Sequence, residues 1–254
     1  MVKGHESAVA PTRPADELTG RENWFPGRWV GGTALIIAPL LMLTGVLLRF
    51  QFPFFFPHQL AAYAQHPALL TAAYSCFLAG NILLWPAILT LTGLIMRTRR
   101  GWAIWGGSLT LFGLFARTFH AGIDHLAFQI VRIQGVDPAT NTVAKSYGAF
   151  HVVSSLNALI LFGWIVLAIG AYRSGTLGLL RSIALGLMAA LMMGVLKGSS
   201  PTSVIATGGL CIALVPLGAN VLWESPSPRP WQFAAWVAFL VIFFAALFVI
   251  GQLG

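Results

Sequence analysis

The sequence predicts an all-α, polytopic membrane protein: a bundle of seven transmembrane helices with the N-terminus inside and the C-terminus outside. Three observations lead there. First, only 9% of the 254 residues are charged and 57% are apolar, where soluble domains carry about 25% charge. Second, apolar runs near the ~20 residues that a helix needs to cross a bilayer recur at 30–49, 68–96, 102–131, 151–172, 176–196, 203–223 and 231–252. Third, Lys and Arg concentrate in alternate connections between those runs, which is how a polytopic chain sets its orientation. The composition excludes a soluble globular domain and a disordered chain. The net charge of +8 belongs to loop ends, so no nucleic-acid partner is expected.

Residues 1–28 hold Glu6, Asp16, Glu17, Glu22, Pro11 and Pro14 and no apolar core, so they read as a mobile cytoplasmic tail. Residues 29–254 read as one transmembrane domain. Trp24, Phe25 and Trp29 suit an aromatic anchor at the membrane interface. The second and third spans are long enough to tilt or protrude, and Pro86 should kink the second. Residues 50–67 open with Phe50-Gln51-Phe52-Pro53-Phe54-Phe55-Phe56-Pro57, which suits a segment at the membrane surface better than another crossing. Gly135, Asp137-Pro138 and Asn141 mark 132–150 as a loop. The fifth span is short, contains Arg181 and follows a tight turn at 172–175. Gly106-Gly107 and Gly208-Gly209 read as close-packing points, and Asn81 and Asn220 as hydrogen bonds between helices.

With the N-terminus inside, the inner segments carry Lys3, Arg13, Arg21, Arg28, Arg97, Arg99, Arg100, Arg173, Arg181 and Arg229. The outer segments carry Arg49, Arg132, Lys145 and Lys197, a count of ten against four with Arg117 left inside a span. This fits an integral, multi-pass protein of a bacterial-type plasma membrane, with the lipid bilayer as its first partner. Cys76 and Cys211 both lie in apolar runs and support neither a disulfide nor a thiolate metal site.

Ionisable residues inside spans are costly and mark functional sites by default. Of seven acids, Asp124 alone falls in a span. Arg117, His120 and Asp124 are spaced i, i+3, i+7 and share one helix face. His125 lies about 100° further round. His151 starts the next span at similar depth, and His58 and His66 lie in the first outer loop, so every histidine but His5 falls on the outer side. A structural ion pair between Arg117 and Asp124, with histidines enriched at an interface, explains the same residues.

A carboxyl removed from water, beside histidines and in a chain with 18 Phe, 9 Trp and 4 Tyr, suits proton-initiated chemistry on an alkene or epoxide, with aromatic faces stabilising the cation. Seven spans in 254 residues, no large extramembrane domain, an intramembrane acid and no Asp-rich diphosphate motif resemble the small integral-membrane terpene cyclases of meroterpenoid and prenylated-indole pathways. The resemblance implies metal-free, cofactor-free cyclisation of a lipid-soluble prenylated small molecule, with Asp124 as general acid. His120 and His151 would orient it or take the final proton. Arg117, His125, Trp85, Phe115, Phe119 and Phe128 would contact substrate. Fungal members carry two acids in separate spans; here Asp137 or a histidine is left for the second. Two other readings remain open. His120, His125, His151 and Asp124 could ligate a metal or a haem iron in a redox protein. The Arg117/His120/Asp124 cluster could also serve a small transporter or sensor, although no paired halves are visible in the sequence. A retinal protein is excluded, since 231–252 holds no lysine.

Overall fold

The computed structural model describes residues 25–146, 152–191, 194–223 and 230–253. Every regular element among them is helical. In chain order they are α1 (Arg28–Leu48), α2 (Phe56–Gln65), α3 (Pro67–Met96), α4 (Arg100–Gln134), α5 (Val136–Ser146), a 3₁₀ segment (Val152–Leu156), α6 (Asn157–Arg173), α7 (Leu179–Gly186), a second 3₁₀ segment (Leu187–Ala190), α8 (Pro201–Trp223) and α9 (Pro230–Leu253). Four stretches are long and apolar enough to cross a membrane: Arg28–Leu48, Pro67–Met96, Val152–Arg173 and Pro201–Trp223. This is the architecture of a multi-pass membrane protein. α4 runs 35 residues, about 52 Å at 1.5 Å per residue. The chain divides into two compact units, Met1–Leu222 and Trp223–Gly254. The second holds α9, an apolar helix of 24 residues.

In the first unit α1 packs along α3, and α4 along α6. The approach is close because small residues leave backbone against backbone. A Cβ on Gly106 would lie 2.8 Å from Leu167 Cα, and one on Gly163 would lie 2.7 Å from the Thr110 nitrogen. α8 meets α7 in the same way at Gly209, whereas Gly208 has open space beside it and is no packing point. Asn81 bonds between helices as expected: its Nδ2 donates to Leu114 O at 3.1 Å and to Thr118 Oγ1 at 3.0 Å. Asn220 is exposed. α3 continues as a helix through Pro86, with the Thr90 hydroxyl donating to Pro86 O at 2.8 Å.

Two connections lie at the basic end of this unit. Thr98 Oγ1 donates to Ser174 O at 3.3 Å, and Arg99 Nε to Arg173 O at 3.3 Å. The α3–α4 turn therefore touches the α6–α7 turn. α2 sits at the other ends of α3 and α4, also packed on α5. Leu60, Tyr63, Leu70, Phe128, Val143 and Leu196 form a second buried cluster there, apart from the main core.

Two expectations require correction. Residues 132–150 are not a plain loop, because Val136–Ser146 is helical. Gly135, at φ 89°, turns the chain after α4. Asp137 and Pro138 then fall in a first turn, where an acid complements the dipole and the N–H that proline lacks has no intrahelical acceptor. Ala139 and Val143, four residues apart, bury one face. The second correction concerns 176–196, where no continuous helix forms. α7 and its 3₁₀ extension, Leu179–Ala190, reach about 18 Å, short of the ~30 Å of a hydrocarbon core. The chain is extended at Leu191 and irregular over 194–200. Gly194, Gly198, Ser199, Ser200 and Pro201 are residues that end helices. The expected tail at 1–28 lies outside the described residues except for its last four.

Candidate functional site

The irregular segment 194–200 is held against the bundle by polar bonds. The Leu196 N–H donates to Asp124 Oδ1 at 2.5 Å. The Gly198 N–H donates to Phe54 O at 2.8 Å. Ser199 Oγ donates to Val46 O at 2.7 Å and accepts from Arg49 Nε at 3.2 Å. The Tyr74 hydroxyl donates to Gln59 Oε1 at 3.1 Å, with Lys197 O a second acceptor at 3.4 Å. Non-helical backbone survives in a membrane protein only where the protein satisfies its polar groups or where it lines a cavity. Both conditions hold here. Leu196 adopts φ 51° with its side chain fully buried. A left-handed leucine costs about 1–3 kcal/mol and persists only where its surroundings fix it. Ser200 and Ser203 cap α8 reciprocally, each backbone N–H donating to the other's hydroxyl at 3.3 Å, with Pro201 between them.

Under this segment lies a cavity lined by Arg49, Tyr74, Phe77, Arg117, His120, Ala121, Asp124, Leu191, Gly194, Lys197, Gly198 and Ser203. The face predicted on α4 is present: Arg117, His120 and Asp124 are all buried and all line it. Arg117 Nη2 donates to Leu191 O at 3.0 Å, so this guanidinium anchors the start of the irregular segment. A second guanidinium, Arg49, acts electrostatically on Asp124. Arg49 is 6% exposed and lies between two rings, with Cζ 4.5 Å from the Tyr74 centroid and 4.7 Å from the Phe77 centroid. Lys197 Nζ lies 5.4 Å from the Phe54 centroid and 5.7 Å from that of Phe55.

Comparison of this chain with family models, with curated proteins and with solved structures gave no match.

Several expected residues lie elsewhere. His125 is exposed, because the 100° step from Asp124 turns it out of the bundle. Phe115 and Phe119 are 49% and 39% exposed and line no cavity wall beside Asp124. Trp85 packs against the main core. Phe128 is buried in the second cluster, stacked on Tyr63 at 4.5 Å and edge-on to Tyr74 at 4.9 Å. It reaches the site only through Tyr74. His58 and His66 are exposed and so is Asp137, which removes Asp137 as a second acid in this cavity. His151 lies outside the described residues. Among the described residues no group of three His, Cys, Asp or Glu is placed to hold a metal ion.

Arg49, Lys197, Tyr74 and the Leu196 N–H were missed as site groups. Arg49 and Lys197 read from the sequence as loop charges at span ends. The signal that points to them is the Gly- and Ser-rich break at 194–200, an interruption in an otherwise apolar run.

Proposed function

We propose that this chain is a multi-pass membrane protein that holds the polar end of a lipid-soluble substrate in the Asp124 cavity and transforms it there. The observation that carries the proposal is a buried carboxyl and a buried imidazole, Asp124 and His120, in one cavity roofed by irregular backbone. A carboxyl and a histidine together can give and take a proton. The proposal keeps seven crossings with the N-terminus inside, the fifth made by the short helix Leu179–Ala190 together with the chain that follows it, not by one continuous helix. The α3–α4 turn, which carries Arg97, Arg99 and Arg100, touches the α6–α7 turn at Arg173 and Ser174, and this supports that orientation.

Prenyl cyclisation, with Asp124 as acid, is the narrower form of this proposal. Two facts constrain it. The cavity offers about 50 Å³ in which a water-sized sphere can be centred, and an isoprenoid chain has no room there. Its two aromatic walls, Tyr74 and Phe77, already face the Arg49 cation. A prenyl chain would lie outside, along the exposed Phe115 and Phe119, with only the group that takes the proton reaching Asp124. The test is Asp124→Asn in membranes supplied with a prenylated substrate. The amide still accepts the Leu196 N–H bond but cannot deliver an acidic proton, so folding persists and product falls by about 10²-fold or more. Full activity in that variant excludes Asp124 as the acid.

One observation favours transport as a second reading. Broken helices line the substrate sites of many transporters, and the chain is irregular over 194–200 beside a cavity. Flux of an unaltered substrate across sealed vesicles would distinguish it.

A further inference from the structure

We infer that a groove between α4 and α6, at the end of the bundle where the α3–α4 and α6–α7 turns meet, is a seat for an anionic phospholipid. Its chain lies along the groove and its phosphate on Arg173. The inference rests on the multi-pass architecture and is independent of the Asp124 cavity.

The groove follows from close helix packing. Glycines bring the two helices together: a Cβ on Gly106 would lie 2.8 Å from Leu167 Cα, and one on Gly170 would lie 3.1 Å from Trp102 Cβ. Trp102, Trp105 and Leu109 of α4 and Val166 of α6 wall a groove of about 440 Å³, with Gly101 at the end next to the α3–α4 turn. A Cβ on Gly101 would meet nothing within 4 Å, so that end is open. From Trp102 to Leu109 the groove follows α4 for about 10 Å, most of one leaflet's share, half of the ~30 Å of a hydrocarbon core. Trp105 is 67% exposed, and a chain lying in the groove covers its ring. In a bilayer the hydrophobic effect favours no one lipid, so a lipid is retained by the shape of its seat and by its headgroup.

The headgroup end carries the selectivity. Arg173, the last residue of α6, places its Cζ 5.5 Å from the Trp102 ring centroid, so the guanidinium stands on a wall of the groove. Arg99 Nε donates to Arg173 O at 3.3 Å, which brings a second guanidinium to the same place. Both side chains are exposed, and among the described residues neither is ion-paired with a carboxylate. A guanidinium fork matches phosphate oxygens, and the Trp102 face holds it by cation–π attraction. Tryptophan marks the interfacial depth at which a phosphate sits, and arginines beside a span draw anionic lipids. A choline head would set its own cation beside Arg99 and Arg173. A glycerol head sets none there, so the seat should prefer phosphatidylglycerol to phosphatidylcholine.

The test uses the full chain in nanodiscs of phosphatidylcholine and phosphatidylglycerol in equal parts, and native mass spectrometry reads which lipid stays bound. The full chain keeps its four N-terminal acids, Glu6, Asp16, Glu17 and Glu22, so a headgroup must bind in competition with them. The variants are Arg173→Gln, Gly101→Leu, which fills the open end without changing charge, and Arg132→Gln, exposed and about 48 Å away along α4. Wild type should retain phosphatidylglycerol in excess. Arg173→Gln should reduce that preference about fivefold, the effect of one arginine at a membrane surface. Gly101→Leu should lose the bound lipid, and Arg132→Gln should match wild type. Should Gly101→Leu fail to fold, Trp105→Ala, at an exposed ring, removes a groove wall in its place. Equal retention of the two lipids by wild type overturns the inference. So does a preference that Arg173→Gln leaves unchanged, or one that Arg132→Gln reduces as much. Retention at the wild-type level after Gly101→Leu, or after Trp105→Ala in its place, puts the lipid elsewhere and overturns it as well.

Discussion

Replacing Gly198 by alanine would place a methyl carbon 2.6 Å from Gln59 Nε2, 2.9 Å from Phe54 Cα and 3.1 Å from Pro53 O. None of these neighbours yields easily. Two are backbone atoms, and the Gly198 N–H is bonded to Phe54 O at 2.8 Å, so the two segments are tied at the point of the clash. Gln59 is fully buried, donates to Pro53 O at 2.7 Å and accepts from Tyr74. Overpacking of this kind costs about 1–3 kcal/mol. Displacing the Gln59 amide adds about 1 kcal/mol for its hydrogen bond. The stiffer unfolded chain returns about 0.4–1 kcal/mol. The net loss is about 1–3.6 kcal/mol, and at about 2–4 °C per kcal/mol for a chain of this size the unfolding midpoint should fall by roughly 2–14 °C. Gly208→Ala is the matched control. A Cβ there meets nothing within 4 Å, and in a helix interior alanine should stabilise by about 0.5–1 kcal/mol. Fluorescence-monitored unfolding in nanodiscs reads both variants. A Gly198→Ala protein as stable as wild type would refute the close seating of 194–200 on Phe54 and Gln59.

Phe128→Ala should cost about 3–5 kcal/mol, because the ring is 3% exposed and touches both Tyr63 and Tyr74. Phe115→Ala, at a ring 49% exposed, should stay within about 0.5 kcal/mol; the same unfolding assay ranks the pair, and equal losses would contradict their placement. Asn81→Ala removes two bonds to α4, each about 0.6 kcal/mol in a membrane protein. It also removes a buried Oδ1 that has no hydrogen-bond partner among the described residues, so the net loss should be about 1 kcal/mol or less. A loss of several kcal/mol would show that Asn81 does more than join α3 to α4.

The helices were legible where the signal is local. The apolar runs at 30–49, 68–96, 102–131 and 203–223 meet helices at Arg28–Leu48, Pro67–Met96, Arg100–Gln134 and Pro201–Trp223, since hydropathy along a run and helix length are properties of one segment. Two places defeated that logic. In 132–150 the turn residues were weighed above the burial of Ala139 and Val143, which depends on a surface the sequence does not show. In 176–196 hydropathy stayed high although the helix ends at Ala190, because an apolar segment need not be helical when neighbours satisfy its backbone.

The polar face of Arg117, His120 and Asp124 followed from 3.6-residue periodicity alone, and a multi-pass helical architecture from the length of the apolar runs. Helical spacing sets which residues share a side; it does not say what the opposite wall is. That wall came from Arg49, Tyr74 and the segment after Leu191. The bonds that seat it join residues 72 positions apart between Asp124 and Leu196, and 150 apart between Arg49 and Ser199. Which distant polar groups meet is decided by how the helices pack, so the sequence supplied the carboxyl and only the tertiary structure supplied the cations around it.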